Sequence, residues 1–421
     1  RDPMTLIHQA WEALQDRLFF LPPFPEQLDP LALFALLLVA GLLAGEALFR
    51  ALGLSRIVGY VFAGALAGPG MLGWLDQETL SMAKPVADAA LGLLLLETGR
   101  NLDLGWLRAN RSLLGSATAE SGLAFVSIFV FAYLAVGLSP GWSAATAAIT
   151  MASAPAVVLL TAEENRAQGQ VTQRTLLLTA INCALSFVVF AVVLGVVHAE
   201  QSGDWLNALA HPLWVVCGGI GIGMLCARLA LILAGRQAKG SVAQVFILVA
   251  VALLAIGVAR MLAVPVFLCL FMMGAALNLA DRDKVLAYTG LPQGHWILAI
   301  VLFVVTGAML PLDELGWVTG LQALGLILVR GLAKFAGVMA TGRHDLPADK
   351  RRLVGIGIQP LSATAIFMAA ELAAIYPEVS GQALLLPLLA AALMEFAGPQ
   401  MCKYALHKAG ETEPLPAGRQ R

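Results

Sequence analysis

The sequence has few charged residues for its length, because Asp, Glu, Lys and Arg make up 13% of 421 residues against 59% hydrophobic residues. The net charge is -1 and the charges lie between apolar runs, so no basic face for nucleic acid is expected. The five cysteines form no Cys-x-x-Cys pair, so neither a disulfide framework nor a transition-metal site is expected. No Ser-His or His-Glu-x-x-His arrangement is present, which argues against an enzyme, and no cofactor is expected.

Long apolar runs are present instead, and the mean hydropathy is +0.81, which excludes an ordinary water-soluble domain. Runs of about 20 apolar residues predict membrane-spanning helices. The sequence therefore predicts an all-α polytopic membrane protein with thirteen spans, near 31-50, 56-74, 84-101, 112-137, 141-162, 174-198, 211-234, 241-260, 264-281, 295-312, 316-341, 352-376 and 382-405. We interpret residues 1-29 as an N-terminal interfacial segment in contact with membrane lipid, 30-410 as the membrane domain and 411-421 as a C-terminal tail.

The loops differ in positive charge according to the side of the membrane that they face. Loops after odd-numbered spans, together with the C-terminal end, carry 20 of the 26 Lys and Arg residues. Because positively charged loops stay in the cytoplasm, the N-terminus is expected outside and the C-terminus inside.

Weak internal matches indicate that the two halves of the chain are related. Thr98-Gly99 in span three matches Thr306-Gly307 in span ten, 208 residues later, and Gly64 matches Gly274 at a separation of 210. Since these separations correspond to seven spans, an odd number, the second half enters the membrane upside down. The sequence therefore predicts an inverted repeat.

Two prolines lie in the middle of predicted spans, Pro155 in span five and Pro360 in span twelve, 205 residues apart. A proline within a helix frees backbone carbonyls that lipid cannot satisfy, so such a break has to face protein or a water-filled cavity. The matching positions predict two discontinuous helices that cross at an ion site, with Ser153, Gln359 and Ser362 beside the breaks. The alternative is a simple proline kink in each helix.

Several motifs resemble those of bacterial monovalent cation/proton antiporters of the Kef and NhaP type. SRIVGYVFAGALAGPGMLGW is similar to the second-span signature of that family, LLLLETGRNLDL to its third-span segment and LFVVTGAMLPLDEL to its tenth-span pattern. VRGLAKFAG carries the basic residue of the eleventh span, and MEFAGPQMCKYALHKAGE looks like a Kef-type final span. The resemblance extends over residues 30 to 410.

This resemblance implies an NhaA-like fold, a homodimer and a place in the bacterial inner membrane. The scaffold and dimer contacts would lie within residues 31-104 and 241-312, and the moving core within 112-198 and 316-405. The transported species would be Na⁺ or K⁺ and H⁺, with no cofactor. The soluble regulatory domain that often follows in Kef systems is expected to be absent from this chain.

The sixth span departs from the family pattern. Members normally carry there an aspartate, in an Asn-Asp or Asp-Asp pair, that binds the cation and the proton alternately, whereas this chain has Asn182-Cys183. The fifth-span Thr-Asp-Pro of NhaP-like members likewise reads Ser153-Ala154-Pro155. The usual exchange mechanism therefore cannot be carried over intact.

Glu97 and Lys334 match residues that lie near the ion site in the family. Glu97, beside Thr98, matches a glutamate that faces the cavity, but it could equally form a structural ion pair with Arg100 one turn later. Lys334 matches the basic residue that pairs with the sixth-span aspartate or supports the crossed helices. Burial favours the neutral amine, so Lys334 is a candidate proton carrier, or alternatively it caps the freed carbonyls near the two prolines.

Three further ionisable residues lie inside predicted spans, where charge is costly and suggests function. Arg330 lies one turn before Lys334. Glu120 in span four and Glu395 in span thirteen are expected to be packing or pairing residues more often than ligands.

The first functional hypothesis is a secondary transporter that exchanges a monovalent cation for protons by alternating access. Oxygen atoms of Ser153 and Asn182 and the freed carbonyls would replace the hydration shell, and Glu97 would supply the charge. The alternatives are a transporter of an anionic or other substrate, favoured by Arg330 and Lys334, and a sensor that has lost transport with the coupling carboxylate. Dependence of flux on the identity of the cation separates these hypotheses.

Overall fold

The structure, a computed structural model, describes residues 30–102, 112–202, 205–281, 294–312, 316–341, 346–376 and 382–412. Within these ranges the chain forms fifteen α-helices, one π-helical turn and no strand. In chain order they are α1 Pro30–Leu52, α2 Arg56–Ala67, α3 Gln77–Arg100, α4 Ser112–Phe131 followed by the π-helical turn Ala132–Val136, α5 Pro140–Thr150, α6 Pro155–Glu164, α7 Gln170–Ser202, α8 Trp205–Ala234, α9 Val242–Met261, α10 Val266–Ala280, α11 Gly294–Ala308, α12 Trp317–Ala340, α13 Ala348–Gly357, α14 Ala363–Ile375 and α15 Gln382–Lys408.

The helices confirm the predicted all-α polytopic class. Among the described residues, 9 helical segments are long and apolar enough to cross a membrane, and four shorter apolar helices accompany them. Each of the thirteen predicted spans overlaps one of these segments, while the number that cross the membrane stays a prediction. The predicted interfacial segment 1-29 lies outside the described residues, as does the tail beyond residue 412.

Two helix boundaries differ from the prediction for local reasons. Helix α3 begins at Gln77 rather than near residue 84, because Asp76 caps it by accepting the backbone N–H of Thr79 at 2.8 Å. Helix α2 ends at Ala67 rather than near residue 74, because Pro69 follows and Gly73 adopts a φ of 64° in the turn. Hydropathy alone registers neither a cap nor a turn.

Close glycine contacts reveal the internal repeat in the packing. Gly64 on α2 and Gly307 on α11 each face the backbone of the other helix, so that a Cβ at either position would overlap it. Gly99 on α3 and Gly274 on α10 form the same reciprocal contact. Since the sequence pairs Gly64 with Gly274 and Gly99 with Gly307, the two contacts are related by the repeat. The division into a scaffold and a core stays a prediction.

The two predicted breaks are confirmed. Helix α5 ends at Thr150 and α6 begins at Pro155, with a non-helical link between them. Helix α13 ends at Gly357 and α14 begins at Ala363, so the second link spans Pro360. Both links are fully or almost fully buried. They are interruptions of the helix rather than simple proline kinks.

Candidate functional site

The two non-helical links cross and bond to each other. The backbone N–H of Ala154 donates to the carbonyl oxygen of Pro360 at 2.9 Å. The Ser153 hydroxyl donates to the carbonyl oxygen of Ile358 at 2.8 Å. The serine predicted as an oxygen ligand therefore holds the crossing together in this conformation.

Arg330 on α12 satisfies the carbonyls that the breaks set free. Its Nε donates to Thr150 O at 2.6 Å, Nη2 to Ala152 O at 2.7 Å and Nη1 to Gln359 O at 2.8 Å. The guanidinium group is fully buried. The sequence also allowed this capping role for Lys334. The contacts belong to Arg330 instead, because its planar guanidinium presents several donors in different directions.

The Gln359 side chain also stabilises the break. Its Nε2 donates to Gly355 O at 2.8 Å and to Gly331 O at 3.2 Å, and its Oε1 lies 3.4 Å from Nη1 of Arg330. The amide therefore joins α12 to the end of α13.

Lys334 forms a buried ion pair with Glu120. Its Nζ lies 2.6 Å from Oε2 of Glu120, and both side chains have 0% exposure. Helix α12 approaches α4 closely at this level, because Gly337 has no side chain and packs against the backbone of Glu120. A buried carboxylate on α4 thus contacts Lys334, whereas the sixth span has none.

A short polar chain connects this pair with the unusual sixth-span position. Nδ2 of Asn182 on α7 donates to the Ser121 hydroxyl at 2.7 Å, and that hydroxyl lies 3.3 Å from Oε1 of Glu120. The Asn182 Oδ1 atom is buried and has no hydrogen-bond partner in the described chain. Cys183 is also buried. The structure therefore brings Asn182, Glu120 and Lys334 together.

Glu395 on α15 forms a separate polar group beside the second break. Its Oε1 accepts the Ser362 hydroxyl at 3.1 Å, and Ser362 directly precedes α14. The hydroxyl of Thr306 on α11 donates to the carbonyl oxygen of Phe303 at 3.3 Å and lies near the same carboxyl group.

Glu97 and Thr98 have local partners near the end of α3. The Glu97 carboxylate lies 3.5 Å from Nη1 of Arg100 and accepts Nδ2 of Asn101 at 3.3 Å. The Thr98 hydroxyl donates to Leu94 O at 2.8 Å within its own helix. None of these described bonds reaches the crossing. They agree with the alternative that Glu97 forms a structural ion pair with Arg100.

A charged contact that the sequence analysis missed joins α6 to the start of α2. Glu164, the last residue of α6, accepts the Ser55 hydroxyl at 2.8 Å, the Arg56 backbone N–H at 3.0 Å and Nη1 of Arg56 at 3.2 Å. Arg56 also bonds Glu46 of α1 at 2.8 Å. We call Glu164, Ser55, Arg56 and Glu46 the α2–α6 contact. An acidic residue at the end of the broken fifth span was the available signal.

A cavity of about 700 Å³ opens at the other end of α7. Helices α7, α8 and α14 and the α9–α10 turn line it, and its polar side chains include His198, His211, Glu371 and Tyr376. Among the described residues, no group of three or more His, Cys, Asp or Glu side chains could hold a metal ion. This cavity lies at the end of α7 opposite to the α2–α6 contact.

Comparison with known proteins supports the same fold. A family model described as sodium/hydrogen exchanger, transmembrane, matches residues 34–395. The putative cation/proton antiporter YbaL of Escherichia coli is 28% identical over 288 residues, which are 64% of this chain and 49% of that protein. The chain thus spans about half the length of this curated relative.

Two structures of the sodium proton antiporter MjNhaP1 from Methanocaldococcus jannaschii are similar. The structure at pH 8 has a TM-score of 0.70 at 18% identity and covers 90% of this chain and 98% of its own. An electron microscopy structure has a TM-score of 0.66 at 19% identity, covering 91% and 99%. At these identities the likeness establishes the fold, and it is the predicted antiporter fold.

Proposed function

The chain belongs to the sodium/hydrogen exchanger family, and we propose that it exchanges one monovalent cation, Na⁺ or K⁺, for a proton by alternating access. One observation carries this proposal, the fully buried Lys334–Glu120 pair at 2.6 Å beside Asn182. It supplies the acid and the base that exchange needs, although the sixth span has no aspartate.

In this mechanism Glu120 provides the negative charge for the cation. The Ser121 hydroxyl and the unpartnered Oδ1 of Asn182 provide neutral oxygen atoms, which replace part of the hydration shell. Glu120 takes the charged role that the sequence analysis gave to Glu97, because Glu120 lies in contact with Lys334. Ser153 and the crossing carbonyls then shape the site rather than bind the ion directly.

Lys334 carries the proton. Without a cation, the ammonium group neutralises Glu120. An arriving cation repels the ammonium group and takes its place, so the amine releases its proton and becomes neutral. Both states of the site have zero net charge, which avoids the large cost of an uncompensated charge in a dry environment. The exchange is therefore expected to be one cation for one proton at this site.

The difference between the two ends of α7 supports alternating access. The cavity at the end of α7 opens towards one side, and by the predicted topology this side is outside. The α2–α6 contact lies at the opposite end of α7 and has to break before that side can open. Its charged hydrogen bonds can re-form in water, as a reversible contact requires.

Arg330 gives no support to the alternative of an anionic substrate. Its donors are directed to the carbonyls of Thr150, Ala152 and Gln359. Lys334 is neutralised by Glu120. The two positive side chains that favoured an anion are thus engaged. A non-transporting sensor remains distinguishable by the absence of flux.

We also propose a homodimer in the bacterial inner membrane, with the N-terminus outside. The resemblance to bacterial antiporters and the distribution of positive residues support this arrangement. Cross-linking in native membranes measures the oligomeric state, and protease access to either end measures the orientation.

The test of the mechanism is proton flux in proteoliposomes with a pH-sensitive dye, driven by Na⁺, K⁺ or choline. Lys334→Gln and Glu120→Gln should each abolish cation-dependent flux, whereas the exposed controls Lys408→Gln and Glu200→Gln should leave it unchanged. If a single variant does not fold, the double variant Glu120→Gln/Lys334→Gln removes both charges and tests the same point. Exchange at the wild-type rate by Lys334→Gln between about pH 6 and pH 9 contradicts the mechanism.

A further inference from the structure

Glu395 differs from the buried Glu120 in having no positive partner among the described residues. Its side chain is 1% exposed, one carboxyl oxygen accepts the Ser362 hydroxyl, and the other has no hydrogen-bond partner in the described part of the chain. None of the ion pairs found among the described residues includes it. The polar groups beside it are the hydroxyl of Ser362, which bonds it, and that of Thr306 on α11, which donates to Phe303 O at 3.3 Å, and neither group is charged.

Such a carboxyl group is stable in only two forms. An ionised carboxylate without a counter-charge is far too costly in a dry interior, so the group holds either a proton or a cation. The surroundings suit both forms. Two hydroxyl groups offer neutral oxygen atoms. One of them belongs to Ser362, which directly precedes the N-terminus of α14, the helix end that favours negative charge.

The position of Glu395 relates it to the crossing but not to the Lys334–Glu120 pair. Gly398, one turn further along α15, packs on the backbone of Pro360. The site includes no residue of α4, α7 or α12 in its described contacts. Glu395 and its neighbours therefore form a second polar site, separate from the Lys334–Glu120 pair and next to the second break.

We propose that Glu395, with the hydroxyl groups of Ser362 and Thr306, forms a second binding site for a monovalent cation, at which a proton competes. When the cation binds, the carboxyl O–H bond breaks and the proton leaves to solvent, so the site stays neutral. This inference rests on the proposed exchange function and adds a second coupled ion to it. Thr306 lies in the predicted scaffold and Glu395 in the predicted core. A movement between the two would therefore remove one oxygen from the site.

Proton release from the purified protein tests this proposal without transport. Saturating Na⁺ or K⁺ is added in weakly buffered detergent solution, and the protons released per protein are counted with a dye, since binding to a protonated site displaces its proton. Glu395→Gln should release about half the wild-type number, because only the Lys334 site remains. Wild-type release from Glu395→Gln overturns the proposal.

Two further variants keep the test decisive if Glu395→Gln does not fold. Ser362→Ala retains the carboxyl group and should raise the cation concentration for half-maximal release of the second proton by about tenfold. Unchanged release by Ser362→Ala overturns the second site. Lys334→Gln separates the two proposals, because it should lose the other half of the release. If Lys334→Gln releases as many protons as wild type while Glu395→Gln loses all of them, the Lys334 mechanism fails and the Glu395 site stands.

Discussion

Replacing Arg330 by alanine should destabilise the protein more than most single substitutions do. The change leaves three buried backbone carbonyls, those of Thr150, Ala152 and Gln359, without their donors. A hydrogen bond to a charged group contributes about 1.5 to 3 kcal/mol, so three of them give roughly 4 to 9 kcal/mol if they were additive. Water entering the space left by the side chain offsets part of this. We expect a net loss of about 4 kcal/mol, against about 1 kcal/mol for a typical substitution.

The loss is measured as the free energy of unfolding in mixed micelles, titrated with a denaturing detergent and followed by tryptophan fluorescence. Arg330→Lys is the informative companion, because a compact ammonium group cannot reach three carbonyls in different directions at once. It should recover less than half of the lost stability. Arg236→Ala, at an exposed position in the turn after α8, controls for the loss of an arginine as such. A loss below about 1 kcal/mol for Arg330→Ala would show that the broken helices do not depend on this side chain.

Three other contacts give further predictions. Removing one partner of the buried pair, as in Lys334→Met, should cost about 3 to 5 kcal/mol of unfolding free energy. The double variant with Glu120→Leu should recover most of this loss. A double variant as unstable as the single one refutes the prediction. Glu164→Ala should speed hydrogen exchange of the Arg56 backbone N–H by about tenfold, measured by mass spectrometry of the peptide at the start of α2. An unchanged exchange rate means that the α2–α6 contact does not stabilise the start of α2. Glu411→Ala should cost about 1 to 2 kcal/mol, because its carboxylate accepts two backbone N–H groups in the first turn of α7 at 2.8 and 2.9 Å; equal stability of the variant in the same titration argues against this cap.

The breaks and the helix class could be predicted from the sequence because their causes are local. Apolar runs require burial of a whole helix in lipid. Pro155 and Pro360 each remove a backbone donor, and their matching positions in the repeat distinguish them from the prolines that lie inside continuous helices. The repeat was visible for a related reason. Close helix contacts require a small residue, so the glycines at the matching positions Gly64 and Gly274 are retained in both halves.

The pairing of the charged side chains could not be predicted, because it depends on how distant helices pack. Glu120 and Lys334 are 214 residues apart and meet only through the contact of α4 with α12. Arg330 and Lys334 lie one turn apart on the same face of α12, and the sequence does not tell which reaches the crossing and which reaches α4. Glu411, assigned to the tail, caps α7 through bonds that likewise have no local signature.

The glycine contacts between α2 and α11 and between α3 and α10 have a mechanical consequence. Side chains that interlock can change rotamer and let two helices slide, but backbone pressed against backbone has no such freedom. These contacts therefore resist sliding of α2 against α11 and of α3 against α10. A large displacement within the protein is therefore expected at contacts between polar side chains, such as that between Glu164 and Arg56, rather than at these glycine contacts.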